Sequence, residues 1–299
     1  MKKFLIILIP IVVIAIGIVM AQSDKKEEKN ISPNDLIPLS SISHGHGLAV
    51  DVANSSKVYI ATHYGLLMLM DDKDLYQVGK SKDDYMGFSP HPTNPKVFFS
   101  SGHPSLGGNI GFQKSEDGGL TWEKVSSGFD GPVDFHTMTV SPANPNVIYG
   151  WYKGNVQRST DGGKNFEIAS KNILAVALAA DSKDENVVYA ATPNNRGILV
   201  SRDKGATWVP LSKDLEGKAV SIIAVHPANS NQLFSFTEAL GLIKSVDSGT
   251  TWKPLDARLD GDVLFIAFDP NQSNTMYVLT HKNSLYKSTD NATSWNKVR

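Results

Sequence analysis

One short phrase returns five times along this chain, at nearly constant intervals. It reads Lys114-Ser115-Glu116-Asp117-Gly118-Gly119-Leu120-Thr121-Trp122 at its first clear appearance. The later copies are Ser159 to Phe166, Ser201 to Trp208, Ser245 to Trp252 and Ser288 to Trp295, and the shared pattern is Ser-x-Asp-x-Gly-x-Thr-Trp. The five serines are 44, 42, 44 and 43 residues apart. A period in the forties with strand-like sequence between the copies specifies a β-propeller, one period per four-stranded blade.

The phrase has a mechanical meaning. Ser and Asp side chains fold back onto backbone N–H groups, and Gly supplies positive φ, so its centre is a tight turn. The aromatic that follows opens a strand and offers a broad surface to bury. Four of the five tryptophans stand at this place, and Phe166 fills the remaining copy. Positions shared by every unit serve the stacking of units, so these Asp and Trp residues are expected to be structural.

The first two strands of each unit align without gaps. The aromatic of the second strand falls at Tyr59, Phe99, Tyr149, Tyr189, Phe234 and Tyr277, which gives six units over residues 42–299. In the first unit the turn phrase has decayed to Met70-Asp71-Asp72-Lys73-Asp74. No strand is left over after the last turn, so the first and last blades are expected to close face to face or with residues 36–43, which have strand character. The expected fold is an all-β six-bladed propeller.

Ahead of it come two segments. Residues 4–21 form a nearly unbroken apolar run behind Lys2 and Lys3, read as a signal peptide cut after Ala21 or as an uncleaved membrane anchor. Either way the rest of the chain is expected outside the cytoplasm, secreted or held at the outer face of the membrane. Residues 22–41 read as a polar linker. A net charge of −1 argues against nucleic acid as a partner, and the absence of cysteine excludes disulfides, thiolate metal sites and cysteine nucleophiles. A monomer is expected, with the membrane, a glycan or a protein as possible partners.

In a repeat protein the residues that break the repeat are the candidates for function. Three aligned positions share one face of the ring, because the head of strand one lies beside the tail of strand two. The head reads His44, Asp84, Asp134, Leu174, Ala219 and Asp262 through the six blades. Two residues on, it reads His46, Met86, His136, Val176, Ser221 and Leu264. The tail of strand two reads His63, His103, Lys153, Pro193, Glu238 and His281. Six of the eight histidines fall here, all on blades one, two, three and six, while His91 and His226 read as turn residues. Imidazoles converging beside carboxylates can hold Zn²⁺ or Cu²⁺, and Met86 suits a soft ion. The metal candidates are therefore His44, His46, His63, Met86, His103, His136 and His281. The plainer alternative is a hydrogen-bonded polar lining of a water-filled channel.

The turn phrase resembles the Asp-box, or bacterial neuraminidase repeat, of sialidases, sortilin-type propellers and several glycoside hydrolases. With His44-Gly45-His46-Gly47-Leu48, Met86-Gly87-Phe88-Ser89, Ser100-Ser101-Gly102-His103-Pro104 and Asp134-Phe135-His136, the chain is similar to small exported Bacillus-type proteins that carry a glycosyl hydrolase label. That resemblance implies a propeller, export and action on glycans. Sialidases, however, clamp a substrate carboxylate with three arginines, which Lys cannot replace. This chain has five arginines, three of them inside a repeat phrase, directly before one, or at the C-terminus, and it has no Arg-Ile-Pro segment. Sialidase activity is not expected. Other glycosidases need two carboxylates, for which Asp84 and Asp134 are the candidates, with Trp151, Tyr152, Lys153 and Glu238 as ligand contacts. A third reading, a protein-docking scaffold such as the Asp-box propellers of photosystem assembly, requires an exposed apolar patch.

Overall fold

The computed structural model describes residues 31–299, so the expectations for residues 1–30, the apolar run and most of the polar linker, lie outside the described residues. Six antiparallel sheets follow one another along the chain. Blade one holds β1 (Leu36–Leu39), β2 (Gly45–Val50), β3 (Lys57–Thr62), β4 (Gly65–Met70) and β5 (Asp74–Val78). Blade two holds β6 (Asp84–Pro90), β7 (Phe98–His103), β8 (Phe112–Ser115) and β9 (Glu123–Ser126). Blade three is β10 (Thr137–Val140) to β13 (Glu167–Lys171), blade four β14 (Ala177–Ala180) to β17 (Val209–Pro210). Blade five is β18 (Ile222–Val225) to β21 (Lys253–Pro254), and blade six β22 (Val263–Phe268) to β25 (Asn296–Lys297). The first strand of each blade packs against those of its neighbours around a central channel.

Burial between blades holds the ring together. All six expected aromatics of strand two are buried, Tyr59, Phe99, Tyr149, Tyr189, Phe234 and Tyr277 among them the largest side chains of the core. The strands that carry them are apolar on both faces, as strands flanked by two other blades must be. Closure is face to face: Leu48, Val50, Ile60 and Leu69 of blade one share one cluster with Ala267, Tyr277, Leu279 and Leu285 of blade six. The decayed turn of blade one helps to fasten that seam. Asp72 accepts hydrogen bonds from the Tyr277 hydroxyl (2.7 Å) and the Lys287 ammonium (2.6 Å). Ile42 also belongs to that seam cluster and Leu39 packs against it, so the seam is reinforced by residues 36–39 as well. Residues 36–39 pair antiparallel with β5 and make blade one five-stranded on its outer edge.

The five repeated turns adopt one geometry. In blade four the Ser201 hydroxyl donates to Asp203 (2.7 Å) and accepts from the Gly205 N–H (2.8 Å), while Asp203 also accepts the N–H and hydroxyl of Thr207 (2.9 and 2.6 Å). The same bonds recur at Asp117, Asp161, Asp247 and Asp290. Such bonding to several donors holds Asp161, Asp203, Asp247 and Asp290 at about 2, below the usual carboxylate range. Glycine is required where blades meet most tightly: Gly163 has φ +87°, and a Cβ there would stand inside the Phe112 ring. These turns lie on the face opposite the histidines.

Candidate metal site at the channel mouth

Two local breaks in the sheets prepare the site. The β2–β3 register shifts between Gly45 and Gly47, so His46 is an extra, bulged residue. The β6–β7 register shifts between Met86 and Ser89. The first strands of blades three, four and five pair without such shifts. A bulge re-aims side chains at the rim of a sheet, and the small residues Gly45, Gly47 and Gly87 allow it here. The result is that His46 and Met86, from neighbouring blades, meet side chain to side chain.

Around that contact the structure gathers His44, His46 and His63, with one nitrogen of each within 4.8 Å of the others. The ring centroids of His46 and His63 are 4.0 Å apart, and His44 stacks on His63 at 5.1 Å. His46 is the buried member, its side chain 8% exposed. Its Nδ1 faces the Met86 sulfur, and its Nε2 is buried with no hydrogen-bond partner among the described residues. Sulfur is no donor there, so in either tautomer one lone pair of the ring meets no proton. Burial first, and then His63 and His44 beside it, hold its pKa down at about 3, so the imidazole is neutral under ordinary conditions. A neutral, unengaged imidazole among others is what a metal ligand requires.

Asp84 organises this cluster. One oxygen lies 2.6 Å from His63 Nδ1, and the other stands 3.7 Å from His46 Nδ1. A carboxylate on the far nitrogen of an imidazole fixes its tautomer and turns its other nitrogen outward. Asp134 makes the equivalent arrangement one blade on, where a single oxygen lies 2.9 Å from His103 Nε2 and 3.0 Å from His136 Nε2. That hydrogen bond raises the pKa of His136. His103 also donates Nδ1–H to the Gly108 carbonyl (2.7 Å).

The seven sequence-derived metal candidates thus separate. His44, His46, His63 and Met86 come together. His103 and His136 form a second group on Asp134. His281 stands apart, its Nδ1 accepting the Asp262 N–H (3.0 Å). His91 and His226 do act in turns, accepting backbone N–H groups of Asn94 and Ala228. Of the expected ligand contacts, Trp151 donates to the Ile173 carbonyl and stands edge-on to His136 at 6.4 Å. Glu238 is exposed at the mouth across from the histidines.

Below the mouth runs a channel of about 680 Å³ whose walls turn apolar, with Phe88, Met138, Leu178, Ile222 and Phe268. A second cleft of about 590 Å³ opens on the same face between blades two and three. Tyr152 and Lys153 line it, joined by Asn109, Phe129, Asn155 and Lys171, which the sequence comparison passed over. The signal was the length of the β7–β8 loop, residues 104–111, where blade one turns in two residues.

No family model matches the sequence, and no curated protein does. Solved structures share its shape at low identity. A gluconolactonase from Xanthomonas campestris superposes with TM-score 0.63 and 13% identity, over 83% of this chain and 86% of that one. A GH74 enzyme from Niastella koreensis gives TM-score 0.59 and 19% identity, over 84% of this chain and 46% of that one. YCF48 from Cyanidioschyzon merolae gives 0.55 and 14%, over 88% and 87%. The chain therefore spans about half the length of the GH74 enzyme. These neighbours share a propeller fold and differ in what they do, so the likeness establishes the architecture, and function has to be argued from the site.

Proposed function

We propose that this chain is an exported Asp-box propeller that binds a transition metal ion at the mouth of its channel, through His44, His46 and His63. One observation carries the reading: three imidazoles converge, and the buried one keeps a lone pair that no donor among the described residues engages. Burying polar nitrogen without a partner costs about 1–3 kcal/mol, and coordination would offset that cost. Asp84 then acts one shell out by orienting His63. The test is elemental analysis of the full chain, purified without a histidine tag or chelator. About one equivalent of a transition metal is expected, and it should be lost when His46 and His63 are both changed to Gln. Metal-free protein that takes up none on titration would overturn the proposal.

Two other readings can be weighed on the same face. Glycan hydrolysis would use Asp84 and Asp134, yet both carboxylates are engaged by imidazoles, an arrangement better suited to orienting ligands than to acid–base exchange with a sugar. Glycan turnover that survives metal removal and disappears in Asp134→Asn would favour it. Protein docking is favoured by the connections of this same face, where Tyr64, Leu106, Phe129, Leu174 and Val176 are exposed, Leu106 almost completely at 98%.

A further inference from the structure

Three imidazoles do not by themselves choose among metal ions, since imidazole suits zinc, copper, nickel and iron alike. The choice falls to the fourth group, and two compete for it. Both stand on the Nδ1 side of His46. One is the Met86 sulfur, which faces that nitrogen and would draw back to let an ion stand between them. The other is the second oxygen of Asp84, 3.7 Å from the same nitrogen. With sulfur the site is three nitrogens and a thioether, a soft set; with oxygen it is three nitrogens and a carboxylate, a harder set that suits zinc.

Resting on the metal-site reading above, we propose that the site selects copper(I), and that Met86 is the residue that sets this selectivity. Geometry favours sulfur over oxygen. One oxygen of Asp84 is committed 2.6 Å from His63 Nδ1, and turning the carboxylate to bring its other, unpartnered oxygen onto the metal would disturb that bond. Met86 has no other polar task for its sulfur among the described residues. Its backbone is held in place, because its carbonyl accepts from the Ser100 hydroxyl (2.9 Å) and its strand is paired at Ser101. The bulge after Met86 and the bulge at His46 bring these two groups face to face; blades three to five lack such bulges in their first strands, and blade six has one at Leu264 with no ligand-type side chain on it. Surroundings agree with the donor set. Met86 is buried, 9% exposed, and Phe88 and Met138 line the channel beside it. On the Met86 side an ion would meet an apolar wall, while His44 and His63 stand exposed toward the mouth. A d¹⁰ copper(I) ion is content with three or four soft ligands and no water.

The experiment titrates the full chain with copper(I) under anaerobic, reducing conditions against a chromogenic copper(I) chelator, and separately with zinc(II) by calorimetry. Wild type should hold one copper(I) and prefer it to zinc. Met86→Leu, which keeps size and apolarity, should weaken copper(I) by about 10-fold or more and leave zinc within about 2-fold. X-ray absorption of the copper-loaded wild type should show one sulfur neighbour, a result that does not depend on how the variant folds. Asp84→Asn serves as the opposing arm and should weaken both ions alike, through the loosened His63. Zinc bound as tightly as copper, no sulfur at the metal, or no effect of Met86→Leu would overturn the selectivity while leaving the metal site standing. A chain that binds neither ion would overturn both.

Discussion

The two faces of this ring obey different rules. On one, five turns repeat the same bonds with the same residue types at Ser, Asp and the aromatic. On the other, six equivalent sets of positions carry six different sets of side chains, and chemistry gathers where blades one and two meet. The lesson is a division of labour. The turns help to fasten one blade to the next, so a substitution that disturbs their packing against the neighbouring blade loosens the ring. The mouth fastens little, and its residues are free to differ. If that is right, substitutions on the turn face should cost stability and spare the ligand, and those at the mouth should do the reverse.

The largest effect is expected from Gly163→Val. The position combines positive φ with the Phe112 ring lying where a Cβ would go. Neither strain can relax without parting blades two and three. A loss of at least about 3 kcal/mol is expected in urea unfolding, with metal affinity of the folded protein unchanged. An unaltered midpoint would show that the inter-blade contact is not tight.

At the mouth, His46→Gln with His63→Gln should abolish the stabilisation by metal, which in wild type is worth about 2.7 kcal/mol at a hundredfold excess over the dissociation constant. The metal-free proteins should melt close together, because the one inter-blade bond at stake, His63 to Asp84, is exposed and a Gln amide can donate in its place. Thermal melts with and without metal read both quantities. If the metal-free variant melted well below wild type, the mouth would be part of the scaffold and the contrast between the faces would fail.

Much of this was legible in the sequence. The period fixed the blade count, and every aligned aromatic from Tyr59 to Tyr277 is buried as expected, because a strand between two blades has no polar side to offer. The faces were legible as well, since antiparallel pairing puts the head of strand one beside the tail of strand two. What alignment could not give was partnership across blades. The tail of one blade meets the head of the next, so His63 goes to Asp84 and His103 to Asp134, while His281, with no such partner, turns back to its own backbone at Asp262. Nor could it give the bulges at His46 and Met86, which shift the register by a residue and break the equivalence that alignment assumes. The clue was glycine on both sides of His46 and after Met86.

Removing one carboxylate of a turn is a milder test. Asp203→Ala loses the acceptor for Ser201 and for both donors of Thr207. The turn faces water, so about 1 kcal/mol is expected. The same carboxylates give a pH signature. Asp161, Asp203, Asp247 and Asp290 sit at about 2 in the fold, against an ordinary 3.8. A carboxyl depressed by folding contributes fully above its unfolded value, and the contribution drains away as pH falls from about 4 toward 2. Urea midpoints at pH 6 and pH 3 should therefore differ, and Asp203→Ala should narrow the difference. A variant that lost as much stability as wild type between those pH values would place the acid sensitivity elsewhere.

The smallest effect should come from Ala292→Gly, and it is the sharpest test of what the turns require. Ala292 occupies the position that is Gly119, Gly163, Gly205 and Gly249 in the other turns, and it holds φ +68°. Left-handed backbone costs a non-glycine residue about 1–2 kcal/mol, which glycine would remove. Against that, the Ala292 methyl is 1% exposed beside Phe234 and Met276, and its loss costs about 0.8 kcal/mol, with a further 0.5–1 kcal/mol for glycine's freedom in the unfolded chain. These contributions nearly cancel, so stability should stay within about 0.5 kcal/mol of wild type. At Gly163, whose φ of +87° is also left-handed, adding a side chain is ruinous. The pair would show that the repeat asks for glycine because of the neighbouring blade's side chain, Phe112 in one case and open space for a methyl in the other. A large gain from Ala292→Gly would mean that backbone strain, and not packing between blades, fixes the turn.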